Sequence, residues 1–141
     1  MNTRPASSPA EHNSLVVNGA AVEAQLRELL QKRILILDGA TGTMIQQYKL
    51  TEAQYRGERF ADFHRDIKGN NELLVLTQPA IMTEIHEQYL AAGADILETN
   101  TFGATTVAQA DYEMEHLVDE MNREAARLCK EACIKYSTPD K

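Results

Sequence analysis

Three features of the chain predict an α/β fold. Residues 34–37 are four consecutive apolar side chains ending in Asp38 and Gly39. That run is too short for a helix core and reads as a strand buried on both faces, as in parallel sheets covered by helices. A second run, residues 95–102, has the polar residues Glu98, Asn100 and Thr101 towards its end. Between the two lies an amphipathic stretch with Pro79 at its start and Gly93 at its end, the expected punctuation of a helix. Strand, crossover helix and strand make a right-handed βαβ unit with parallel strands. Such a unit would carry Asp38, Glu98, Asn100 and Thr101 to one end of the sheet, where folds of this class bind ligands. Asp38 itself has two readings at this point: a clamp for a charged small molecule, or a turn residue accepting local backbone hydrogen bonds.

Composition narrows the function classes. The 141 residues allow one domain with a sizeable core. A formal net charge of −7 disfavours nucleic acid and anionic membranes as partners, because both require a basic footprint. No apolar run approaches the roughly 20 residues of a membrane span. The N-terminus has no apolar core of a secretory signal. The two cysteines are therefore expected as free thiols in a soluble, cytoplasmic protein.

In order, residues 1–20 are rich in Ser, Pro, Asn, Gly and Ala and read as a disordered leader. Val22, Leu26, Leu29 and Leu30 lie on one side of a short amphipathic helix that feeds the first strand. Residues 44–48 suggest one or two helical turns capped by Thr43. Residues 49–72 are irregular. They read as a solvated excursion pinned by Tyr55, Phe60 and Phe63, the alternative being a functional lid. The helix after Pro79 presents Ile81, Met82, Ile85, Tyr89 and Leu90. Residues 105–112 form a weak helix or turn. A strong helix over residues 115–136 buries Leu117, Met121, Ala125, Leu128 and Ala132. His64, His86 and His116 lack ligand companions and read as surface residues. Cys129 and Cys133, one helical turn apart, read as small side chains packed in that helix, since two thiols alone do not complete a zinc site. No G-x-G-x-x-G or P-loop spacing occurs, which argues against a nucleotide-binding module.

Three blocks of sequence carry a resemblance: Asp38-Gly39-Ala40-Thr41-Gly42-Thr43-Met44-Ile45-Gln46, Lys68-Gly69-Asn70-Asn71-Glu72-Leu73-Leu74, and Ala92-Gly93-Ala94-Asp95-Ile96-Leu97-Glu98-Thr99-Asn100-Thr101-Phe102. In order and spacing they resemble the homocysteine S-methyltransferase family, and within it the homocysteine-binding domain of the cobalamin-dependent methionine synthases. The resemblance covers residues from about 30 to 136. It implies the start of a (β/α)8 TIM-type barrel, of which this chain holds the first two parallel strands and their helices.

By the same resemblance, homocysteine is the substrate and accepts a methyl group from methylcobalamin, ultimately from methyltetrahydrofolate, to give methionine. Zinc and cobalamin serve the complete family enzyme. Three cysteines hold the zinc, which keeps the substrate sulfur as a thiolate, and they correspond to positions beyond residue 141. Asp38 matches the carboxylate that holds the substrate ammonium, and Gly39 and Ala40 match a turn whose N–H groups face the substrate carboxylate. Asn100 and Thr101 match the end of the second strand at the barrel mouth. The domain plan expected is a leader at 1–20, the N-terminal portion of a homocysteine-binding barrel at 21–136, and a polar tail at 137–141. As a fragment, the chain is expected to bind neither cofactor alone and to be inactive in isolation. A complementary barrel fragment is the conceivable protein partner, and the alternative to a piece of an enzyme is a non-catalytic remnant.

Overall fold

A computed structural model describes residues 18–138. Its helices are α1 (Gly19–Lys32), α2 (Thr41–Gln47), α3 (Glu52–Arg56), α4 (Leu74–Thr77), α5 (Pro79–Ala92), α6 (Thr106–Gln109) and α7 (Val118–Tyr136). Short 3-10 turns at Asn71–Leu73, Ala110–Tyr112 and Glu115–Leu117 lead into or out of them. The chain divides into two units, Met1–Leu35 and Ile36–Lys141. The expected leader falls outside the described residues as far as residue 17, and the last three residues of the expected tail do too. Gly19 and Ala20, assigned to the leader, open α1.

In the first unit, α1 begins where the Asn18 side chain accepts the Ala21 N–H, leaving one fewer orphan donor at the helix start. Glu23–Arg27 and Glu28–Lys32 pairs run along its surface at i,i+4 spacing. No residue of α1 is buried.

The α/β expectation, and with it the opening of a (β/α)8 barrel, is corrected by the structure. Among the described residues there is no sheet and no barrel, and the two apolar runs meet at an isolated parallel bridge, Leu37 to Ile96. A parallel strand needs ladder partners along its edges and cover on its faces, and polar side chains here take the backbone groups a ladder would use. Ile36 N–H donates to Asp95 Oδ2 at 3.0 Å. Glu98 N–H donates to Asp38 Oδ1 at 3.0 Å, and Asn100 Nδ2 donates to Asn71 O at 2.7 Å. The chain then turns sharply, Thr101 N–H reaching Thr99 O at 2.8 Å and Ala104 N–H reaching Thr101 O at 3.1 Å. These long-range side-chain bonds and the backbone turn that follows occupy groups that a longer ladder would otherwise pair. The apolar side chains pay in exposure: Ile36, Leu37 and Ile96 are 53%, 51% and 37% exposed.

The helical part of the second unit follows its sequence pattern closely. Pro79 occupies the first turn of α5, and Gly93, at φ 110°, ends it with the Gly93 N–H on Leu90 O and Tyr89 O. A left-handed residue there is natural for glycine and costly for others. α7 buries Met121, Ala125, Leu128, Cys129 and Ala132 against α5 and α4. From α5 come Met82, Ile85, His86 and Leu90, with Leu74 and Val75 from α4. His86, read as a surface residue, is 1% exposed and sits on the core face of α5. Its Nδ1 has no hydrogen-bond partner among the described residues, and burial pushes its pKa below the ordinary value, disfavouring the charged form. Thr43, expected as a cap, lies inside α2, which starts at Thr41.

Residues 49–72 are stapled rather than loose. Thr51 and Gln54 form a capping box at the start of α3. Glu52, paired with Arg56 at 2.8 Å, accepts the Ile67 and Lys68 N–H groups at 2.9 and 2.7 Å. The Arg56 guanidinium donates to the carbonyls of Ala61, Phe63 and Arg65. Burial works to raise the Glu52 pKa, but these donors and the Arg56 charge outweigh it and hold the carboxyl below its usual range. One ion pair thus organises both ends of the excursion, while His64 stays exposed and meets Glu113 at 2.7 Å.

Candidate functional site

The turn at residues 39–42, the Asn71–Glu72 turn and residues 98–102 enclose a cavity of about 300 Å³. Each wall has a local cause. The first follows the Leu37–Ile96 bridge, which sets where residue 38 ends and the turn begins. The second is anchored by a reciprocal amide pair: Asn70 Nδ2 donates to Gln109 Oε1 at 2.7 Å, and Gln109 Nε2 donates to Asn70 Oδ1 at 3.1 Å. Both side chains are buried, so each amide satisfies the other where water cannot. Gln109 Nε2 also donates to Gly103 O at 2.9 Å, tying the second wall to the third.

Four of the five residues expected at a site, Gly39, Ala40, Asn100 and Thr101, line this cavity. A Cβ built on Gly39 or Gly42 meets no atom within 4 Å, so the space beside this turn is open to a ligand. Asn100 is buried and spends its amide on Asn71 O, bracing the opposite wall. Thr101 Oγ1 shares a hydrogen bond with Thr99 Oγ1 at 2.8 Å. Phe102 stands at the rim, fully in solvent.

Asp38, the fifth, lies at the base of the turn with its carboxyl buried and is not among the lining residues. Oδ1 accepts the Glu98 N–H, while Oδ2 is buried with no hydrogen-bond partner among the described residues. Burial raises the Asp38 pKa; the Glu98 N–H pulls it down and the Glu98 charge adds to the rise. Its charge also reaches Cys129 on α7.

Sequence reasoning gave no ligand role to Glu72, whose carboxylate forms part of the cavity wall. Glu72 Oε1 accepts the Gly103 N–H at 2.9 Å. The available signal was its place in the Lys68–Leu74 block, directly after the paired asparagines that make the turn.

The cysteines do not fit a zinc ion. Burial, the neighbouring Cys133 and the Asp38 charge push the Cys129 thiol up to about 12, far from the thiolate a zinc ligand must be. Among the described residues no three or more His, Cys, Asp or Glu side chains are grouped to hold a metal ion, whereas catalytic zinc takes three protein ligands. A second hollow, of about 480 Å³ beside α7, is lined by the ion pairs Arg59–Glu120 and Arg123–Asp119, whose charges already satisfy one another. No helix among the described residues is long and apolar enough to cross a membrane.

Residues 35–141 match the family model described as homocysteine S-methyltransferase. The match begins immediately before the second unit and takes in every wall of the 39–42 cavity. The chain therefore belongs to the homocysteine S-methyltransferase family, whose chemistry is methyl transfer to the sulfur of homocysteine.

Proposed function

We propose that the cavity between the 39–42 turn and residues 98–102 is the homocysteine-binding site. The observation that carries this reading is the gathering of Gly39, Ala40, Asn100 and Thr101 around one space, within the family-matched stretch. Homocysteine offers an ammonium, a carboxylate and a thiol. The Gly39 and Ala40 backbone N–H groups are proposed to receive the carboxylate, with Asn100 and Thr101 shaping the opposite wall. The free oxygen of Asp38 is proposed to receive the ammonium, a buried charge made favourable only by a charged partner. The thiol is left towards the open side, where a methyl donor can approach.

Within the family, the three sequence blocks favour a methionine synthase that takes its methyl group from methylcobalamin. The cysteines and carboxylates among the described residues do not make a zinc site. The chain by itself is proposed to bind homocysteine without methylating it.

Titration calorimetry on the purified chain tests the site. Asp38→Asn is expected to weaken homocysteine binding by about 1.5–3 kcal/mol, the worth of a hydrogen bond to a charged group. The fold should survive, since the Asn oxygen can still accept the Glu98 N–H. Unchanged affinity in a folded variant would leave Asp38 as a turn residue only. Methyl transfer from methylcobalamin by the chain alone would contradict the binding-only reading.

A further inference from the structure

Glu72 is the half-buried carboxylate of the cavity wall, and its position is fixed from two sides. Gly103 N–H holds Oε1, and the carboxyl packs so closely on Gly103 that a Cβ there would lie 3.1 Å from Cδ and Oε1 and 3.2 Å from Oε2. Any larger residue at 103 would push the Glu72 carboxyl back by a few tenths of an ångström. Behind Glu72, the Asn70–Gln109 amide pair locks the turn it stands on. The Gly103 bond uses one oxygen, and the other has no hydrogen-bond partner among the described residues. No ion pair among the described residues neutralises this carboxylate. Its charge is felt nearby, adding to the burial that raises the Tyr55 and Tyr112 hydroxyl pKa values. A carboxylate with one oxygen pinned and one free, facing an open cavity, is preorganised for a small cation.

We propose that Glu72 recognises the ammonium group of the ligand, so that the cavity selects an α-amino acid over the same thiol acid lacking its amine. This deepens the homocysteine reading and rests on it. An ammonium carries three donors, one of which the free Glu72 oxygen can accept. Glu98, the other acidic residue of the lining, is exposed, and no hydrogen bond among the described residues fixes its side chain.

The test is calorimetry on the full chain with two probes, L-homocysteine and its deaminated analogue, which keeps the thiol and carboxylate. The wild type should prefer homocysteine. Glu72→Gln, which can still accept the Gly103 N–H, should lose about tenfold or more in homocysteine affinity and none for the analogue. Gly103→Ala keeps the charge but displaces the carboxylate, and should also narrow the preference; it decides the matter if Glu72→Gln does not fold by circular dichroism. Equal homocysteine affinity in wild type and a folded Glu72→Gln would overturn the proposal and leave the cavity reading standing. An equal loss for both probes would overturn it too, reducing Glu72 to a brace for Gly103. If the wild type binds neither probe, the cavity reading fails and this inference with it.

Discussion

Where α5 crosses α7, Met82, Ile85 and Met121 are wholly shielded from water; at the Leu37–Ile96 bridge, side chains just as apolar stand a third to a half exposed. A helix closes its hydrogen bonds within its own segment and needs a neighbour along only one stripe. An extended segment must borrow partners on both edges and cover on both faces. Two such segments cannot supply this for each other, so Asp38, Asp95, Asn100 and Glu72 side chains take up backbone groups instead. The consequence is functional as well as structural. The proposed binding cavity lies in the part held by side-chain bonds, while the helices behind it supply the stability.

That contrast can be broken most forcefully from the helical side. Met121→Ala, at a position with no exposure, should cost about 2–5 kcal/mol of unfolding free energy in urea titration, through lost burial and a residual cavity. A loss below 1 kcal/mol would mean that the helices do not carry the stability. The stapled excursion should come next. Arg56→Ala strands the partly buried Glu52 and removes the donors from three carbonyls, and about 1.5–3 kcal/mol is expected. An unaffected midpoint would show that the aromatics alone pin residues 49–72.

A gentler effect concerns pH. Burial depresses the His86 pKa below 6.5, so on acidification the unfolded chain takes up the proton first. Stability should be level above 6.5 and fall as pH drops from there through the depressed value, and His86→Gln should flatten that limb. Asp38 acts with the opposite sign: its pKa is raised, so its favourable contribution is present at low pH and is lost as pH rises through the folded value. An acid limb that His86→Gln leaves unchanged would assign the effect to other groups. Smallest of all, Leu37→Ala at the half-exposed bridge should change stability by about 0.5 kcal/mol or less. A loss as large as that of Met121→Ala would show that the bridge is a cryptic core.

How legible the chain was in advance follows the same division. The spacing of Met121, Ala125, Leu128 and Ala132 specified a buried stripe, and Pro79 and Gly93 marked the ends of α5, because those signals are local. His86 was misjudged because a single polar residue on a helix gives no sign of its side until the packing is known. The runs at 34–37 and 95–102 read as strands from their own composition, yet strand formation depends on neighbours that composition cannot reveal. Gly39, Ala40, Asn100 and Thr101 came together nonetheless, since one bridge and two turns are enough to align them. Glu72 went unassigned because its significance lies in a contact with Gly103, thirty-one positions away.

Amide hydrogen exchange of the chain with and without homocysteine tests the central claim most directly. The account predicts that homocysteine slows exchange at residues 39–42 and 98–103 and leaves the already protected core of α5 and α7 unchanged. Protection confined to another surface, or no change at the cavity at saturating homocysteine, would contradict it.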